Sequence, residues 1–195
     1  MVTLNGKPML QIIIEQLKLI NIRDIIIVVH YHQEKIRDFF GNGSQFGVNI
    51  KYAEQKEMKG TADAVLQAER DVNSDRFLCL ACDSLFENGL LNKILSHQSD
   101  GVITCKKVKD FRRYGILKIE DSKVIEIVEK PELPPSNLAN FSVYLFPKEI
   151  FAACKQVKPS PRGELEINDA IKLLINRGFK FIYEISSHII DIGTF

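Results

Sequence analysis

The sequence predicts an α/β fold on a mixed, mainly parallel sheet, and three observations carry that expectation. Through the first half of the chain, short runs of β-branched and apolar residues alternate with segments of helical period. That order implies parallel strands joined by right-handed crossovers. In the second half a hairpin and a proline-rich loop break the alternation, so the sheet is mixed. Finally, several apolar runs end on polar residues (Glu54-Gln55, Asp83, Glu129-Lys130), and open sheets of this kind bind ligands at the carboxyl ends of their strands.

The elements follow in order. PMLQIIIEQLKLI, residues 8–20, places Leu10, Ile13, Ile14 and Leu17 on one helical face, with Pro8 suited to a first turn. DIIIVV, 24–29, has the composition of a strand buried on both faces. HQEKIRDFF is a short helix stopped by the turn-rich GNGSQFG, and VNIKYAEQ, 48–55, alternates as a strand. A helix opens at Gly60-Thr61, FLCLACD at 77–83 is another buried strand, and a helix near 88–97 leads to the strand GVITCKKV, 101–108. YGILKI and KVIEIVE form a hairpin over about 114–128, turning at Glu120-Asp121-Ser122. NFSVYLF, 140–146, is a strand, helices lie near 147–154 and 164–177, and a strand at 179–185 follows.

Composition narrows the function. A chain of 195 residues fits one domain, 1–195, and buries roughly 70% of its unfolded surface without staples. Its net charge of +1, with no long basic run, argues against a nucleic-acid partner. No apolar stretch reaches membrane-spanning length, and the first residues do not read as a signal peptide. Cys79, Cys82, Cys105 and Cys154 lie in apolar segments, the usage of reduced core thiols in a cytoplasmic protein. His30, His32, His97 and His188 are scattered, and no Ser/His/Asp or Cys/His arrangement marks a covalent nucleophile.

Chemistry gathers at the strand ends. The Gln55 amide offers a donor and an acceptor side by side, fit to read a nucleobase edge, and Gly60 would let a flat ring approach the backbone. Gly60 or Thr61 fits a helix cap equally well. Asp83, on the tip of an apolar strand, suits a divalent cation such as Mg²⁺ or a cap for the following helix; Asp191 is a second carboxylate of this kind. Lys130, held extended ahead of Pro131, would reach a phosphate as a point charge. Glu164, Glu166 and Asp169 lie near a helix start, where carboxylates also serve the helix dipole.

Together LNGKPML, GNGSQFGVNIKYAEQ, GTADAV, FLCLACDSLF, YGILKI, VEKP, NLANFSVYLF, RGELEIND and DIGT resemble, in this order, the sugar-phosphate nucleotidyltransferases. The blocks run from about residue 4 to residue 194. The resemblance implies a Rossmann-like three-layer fold in which a hexose 1-phosphate attacks the α-phosphorus of a nucleoside triphosphate, releasing pyrophosphate and a nucleotide sugar. Positioning and charge neutralisation by Mg²⁺ and lysine suffice for this reaction. By position, Gln55, Gly60 and Thr61 look like the nucleotide site, Asp83 and Asp191 like the metal carboxylates, Glu129 and Asn140 like sugar ligands, and Lys130 like the cation on the sugar phosphate. Asp83 and Lys130 would be the catalytic residues. UTP or dTTP is favoured, GTP is compatible, and a homo-oligomer fits the family.

Some features depart from the family's pattern. Cys82, Ser142 and Ile189 stand where a glycine, a glycine and an aromatic are usual. The family opens with a strand, a glycine-rich loop carrying an arginine and a proline-lysine-proline segment, all ahead of the position of Met1-Val2-Thr3-Leu4. The expectation is therefore a sheet without its first central strand. Two neighbouring strands would keep unpaired edges, at roughly 1–3 kcal/mol for each buried unmatched group. A non-catalytic relative that binds nucleotide sugars, or pairs with a catalytic partner, is the alternative.

Overall fold

The structure, a computed structural model, describes residues 2–186 and 188–191, with only the backbone of 190 and 191. In chain order the elements are β1 (Thr3–Leu4), β2 (Lys7–Pro8), α1 (Met9–Leu19), β3 (Asp24–Val29), α2 (Gln33–Phe40) and β4 (Asn49–Glu54). Then come α3 (Thr61–Gln67), β5 (Arg76–Leu80), β6 (Ser84–Leu85), α4 (Leu90–Ser96) and β7 (Gly101–Lys107). The rest are β8 (Gly115–Glu120), β9 (Lys123–Glu129), β10 (Leu138–Pro147), α5 (Ile150–Cys154), α6 (Ile167–Asn176), β11 (Phe181–Ile185) and β12 (Ile190–Asp191). The hairpin turn has Asp121 and Ser122 both at positive φ, 47° and 63°, the twist that suits a tight two-residue connection.

Among the described residues the main sheet has the order β5-β10-β7-β11-β9-β8, and β10 also meets β8 through Ala139 and Ile116. Strands β7 to β11 thus close on themselves as a small barrel-like ring, with β5 appended to β10. The expectation of a mainly parallel sheet is corrected here. Only β7–β11 pairs parallel in this sheet, and β10 runs antiparallel to both β5 and β7. The crossovers do leave β5, β7 and β11 pointing the same way, but β10 comes in between β5 and β7 from later in the chain and takes the positions that would pair them.

The sheet is covered on both faces. Along β7 and β10 alternate residues part company: Ile103, Cys105, Tyr144 and Phe146 pack with α3, α5 and α6. Val102, Val143 and Leu145 pack with α1 and α4. This two-residue period divides one apolar strand between two cores. A third cluster joins Ile14, Ile27, Val29, Phe40, Val48 and Ile50 around the parallel pair β3–β4.

Among the described residues β3 pairs along one edge, with β4, and β5 along one edge, with β10; no ladder joins β3 to β5. These are the unpaired edges anticipated above. The reading of both runs as fully buried strands is corrected accordingly. In β3 only Ile27 and Val29 are buried, and in β5 no residue is; among the described residues each strand has a neighbour on one edge alone, which leaves its flank open. Cys82, just beyond β5, is exposed rather than a core thiol, whereas Cys105 and Cys154 are buried and burial pushes both thiols up to about 12. All four cysteines are free. No helix among the described residues is long and apolar enough to cross a membrane.

Candidate active site

Gln55 follows β4 and is buried. Its Nε2 donates to the Gly60 carbonyl at 3.1 Å and to the Asp63 carboxylate at 2.8 Å. Both partners only accept, so the amide orientation is settled by chemistry: nitrogen inward, with Oε1 as the atom left to serve a ligand. The Gln55 carbonyl meets His30 Nδ1 at 2.6 Å, which ties the end of β4 to the end of β3.

Gly60 is held by the protein itself. Its φ of 117° lies in the region open to glycine, and a Cβ there would stand 2.5 Å from the Leu165 carbonyl oxygen. Leu165 N–H donates to the Lys59 carbonyl at 2.7 Å, and Ala62 N–H donates to the Leu165 carbonyl at 2.8 Å. The backbone that approaches this glycine is that of Leu165, a closer constraint than the flat ring expected from sequence. Thr61 does cap a helix, but a distant one: its hydroxyl accepts the Ile167 N–H at 2.9 Å, at the first residue of α6. Segments 59–62 and 165–167 therefore form one joint.

Glu129 and Asn140, the expected sugar ligands, stand on the other side of that joint. Glu129, at the end of β9, accepts from Arg162 at 3.3 Å and from Asn168 Nδ2 at 3.0 Å. Arg162 also binds Glu166 at 2.8 Å, and the Ser160 hydroxyl supports the same carboxylate. Asn140 Nδ2 donates to Asn168 Oδ1 at 2.9 Å and to the Tyr144 hydroxyl at 2.8 Å; its Oδ1 is buried without a partner among the described residues. Burial pushes the Tyr144 phenol above its ordinary pKa. Burial also raises the Asp169 carboxyl, with the Glu166 charge adding to it.

Lys130 corrects an expectation. A residue ahead of proline favours extended backbone, but Lys130 has φ 41°, in the left-handed region. Its N–H donates to the Tyr114 carbonyl at 3.0 Å, which turns the chain out of β9 in one residue. That conformation costs a non-glycine residue about 1–3 kcal/mol, and such strain gathers at functional sites.

Asp83 is exposed and lies between β5 and β6; α4 starts at Leu90 after Gly89, so Asp83 is not its cap. Ser84 pairs with Asp191 across β6–β12, so the backbone brings position 191 beside position 83. The side chain of Asp191 lies outside the described residues. Lys106 holds this strand by donating to the Ile189 carbonyl at 3.0 Å, and the Ser186 hydroxyl donates to Glu87. Among the described residues no three His, Cys, Asp or Glu side chains form a metal cluster. Two carboxylates with substrate phosphates are nevertheless a sufficient donor set for Mg²⁺.

Sequence reasoning missed Arg162, Tyr144 and Asn168. RGELEIND carries two of them, but only the folded joint shows that they serve Glu129 and Asn140.

A family model described as Nucleotidyl transferase matches residues 1–195. The chain is 35% identical over 196 residues to the low-salt glycan biosynthesis nucleotidyltransferase Agl11 of Haloferax volcanii, covering 98% of this chain and 54% of Agl11. It is 37% identical over 185 residues to the UTP–glucose-1-phosphate uridylyltransferase AglF of the same organism, covering 91% of this chain and 75% of AglF. The chain thus spans about half the length of Agl11. A crystal structure of a Bacillus anthracis protein assigned as a glucose-1-phosphate thymidylyltransferase, with bound sucrose, superposes with a TM-score of 0.86 at 31% identity. That match covers 98% of this chain and 80% of the other. With the ordered strand-end site and these likenesses in hand, the chain belongs to the Nucleotidyl transferase family.

Proposed function

We propose that this chain forms the substrate-binding core of a sugar-1-phosphate nucleotidyltransferase, joining a nucleoside triphosphate to a hexose 1-phosphate to give a nucleotide sugar and pyrophosphate. One observation carries the reading: segment 160–168 links the Gln55–Gly60 turn to Glu129 and Asn140 through an unbroken run of hydrogen bonds. The base and sugar positions are thereby held in one rigid frame, as the reaction requires. The relatives whose names state substrates handle UTP or glucose 1-phosphate, which favours uracil or thymine here.

In this reading Gln55 Oε1 accepts the imide N–H of the base, which its fixed amide orientation favours over a donor role. Glu129 and Asn140 accept sugar hydroxyls. Lys130 sets its ammonium beside the sugar phosphate, whose oxygen attacks the α-phosphorus while the bond to pyrophosphate breaks. Asp83 and Asp191 would hold Mg²⁺, which when bound offsets phosphate charge. No side chain needs to act as a nucleophile.

The test is pyrophosphate release from UTP, dTTP or GTP with glucose 1-phosphate and Mg²⁺; release with none of them counts against catalysis by this chain. That no ladder joins β3 to β5 among the described residues favours a second reading, a non-catalytic nucleotide-sugar-binding protein or regulatory partner. UDP-glucose binding by calorimetry with no pyrophosphate release would select it.

A further inference from the structure

Asn168 uses both ends of its side chain in opposite senses. Its Nδ2 donates to Glu129 Oε2 at 3.0 Å and its Oδ1 accepts from Asn140 Nδ2 at 2.9 Å. An amide carries a donor and an acceptor on one rigid plane, so it can donate to a carboxylate and accept from a second amide at once. Gly115 makes room for the bridge: a Cβ there would lie 2.9 Å from Asn168 Nδ2 and 3.1 Å from Glu129 Oε2. The bridge also fixes how Asn140 faces a ligand. Its nitrogen is spent on Asn168 and Tyr144, and its buried Oδ1 stays unmatched among the described residues. A buried acceptor without a donor is unfavourable until something fills it.

We infer that Asn168 is a positioning residue that presents Glu129 and Asn140 as a pair of acceptors, so that the site selects a sugar with two neighbouring hydroxyl donors. This rests on the assignment of Glu129 and Asn140 to the sugar in the proposed function. Asn168 touches no reacting atom; it acts by holding the two acceptors at one spacing.

The experiment is calorimetry on the whole chain with three probes: UMP, UDP-glucose, and UDP-glucose analogues lacking the 2- or 3-hydroxyl. The wild type is expected to prefer UDP-glucose over a deoxy analogue. N168A is expected to weaken UDP-glucose about tenfold, leave UMP unchanged and erase the preference. The preference is a ratio of affinities, so loss of some folded protein does not move it. N168D provides the second variant. It keeps the size of the side chain and its acceptor toward Asn140, but faces Glu129 with a carboxylate, and it should erase the preference as well. A preference that survives in both variants, or UMP and UDP-glucose weakened in proportion, makes Asn168 a structural clip and overturns the inference. A wild type that binds UMP but shows no preference among the sugars overturns it too. Binding of none of the probes instead fails the proposed function, and the inference falls with it.

Discussion

β7 and β5 are similarly apolar strands of one sheet, yet they end in different environments. Every residue from Gly101 to Cys105 of β7 is buried, while Phe77 to Leu80 of β5 are all partly exposed. β7 has β10 on one edge and β11 on the other; among the described residues β5 has β10 alone. The same contrast separates the two halves of the site. Glu129 and Asn140 stand on a ring of strands that closes on itself, whereas Gln55 and Asp83 follow β4 and β5, which pair along one edge only among the described residues. Composition sets which residues can be buried, but neighbours decide which are. The proposed sugar half thus stands on closed pairing, and the proposed nucleotide half depends on the 59–62 and 165–167 joint to hold it in place.

Breaking that joint should have the largest effect. Gly60→Ala places a methyl group against the Leu165 carbonyl in a backbone conformation that alanine resists. A loss of about 3 kcal/mol in urea unfolding is expected, together with loss of UMP binding. Unchanged stability would mean that the two segments are not coupled. Amide hydrogen exchange sharpens the comparison without a mutation. Amides of β3 and β5 should exchange on the order of 100-fold faster than those of β7 and β10, and equal protection would refute the difference between the halves.

A smaller effect concerns Lys130. K130G and K130A both remove the cation, and both should weaken glucose 1-phosphate binding. Glycine tolerates φ 41°, so K130G should be about 1 kcal/mol more stable than K130A. Equal melting temperatures would place the residue outside the left-handed region. The smallest effect is one of pH. Burial raises the Glu87 carboxyl, but the Ser186 hydrogen bond and backbone N–H groups outweigh it, leaving the pKa below the ordinary 4.5. The folded form therefore gains stability above that value and loses it as pH falls through the lowered one. The stability advantage of wild type over E87Q should be full at pH 7 and shrink in acid. An advantage independent of pH would show that the Glu87 charge does not hold the Ser186 segment.

Much of this was legible in the sequence, and for local reasons. Period and β-branching located α1 and β3 almost to the residue, and the Glu120-Asp121-Ser122 turn placed the hairpin. The position of β10 between β5 and β7 was not legible, because strand order is set by long-range pairing that leaves no local pattern. The two-residue strands β6 and β12 carry too little periodicity to be seen, although they bring position 191 beside Asp83. In the site, residue types pointed to Gln55 and Lys130, and the family resemblance to Glu129 and Asn140. The geometry that gives them meaning came only from the fold: the inward Gln55 amide, the turned-out Lys130 backbone, Thr61 capping a helix over a hundred residues away.

The edges of β3 and β5 that lack a partner strand among the described residues also bear on how this chain behaves in a crowded solution. Asp24–Val29 is a six-residue run of high β-propensity with no proline and one charge, and among the described residues one of its edges has no partner strand. Such a run is a template for strands from other chains. Self-association should therefore set in with rising concentration before unfolding does. A lysine or proline on the open side of β3 would raise the concentration at which the protein stays dispersed, without touching Glu129, Asn140 or the ring beneath them.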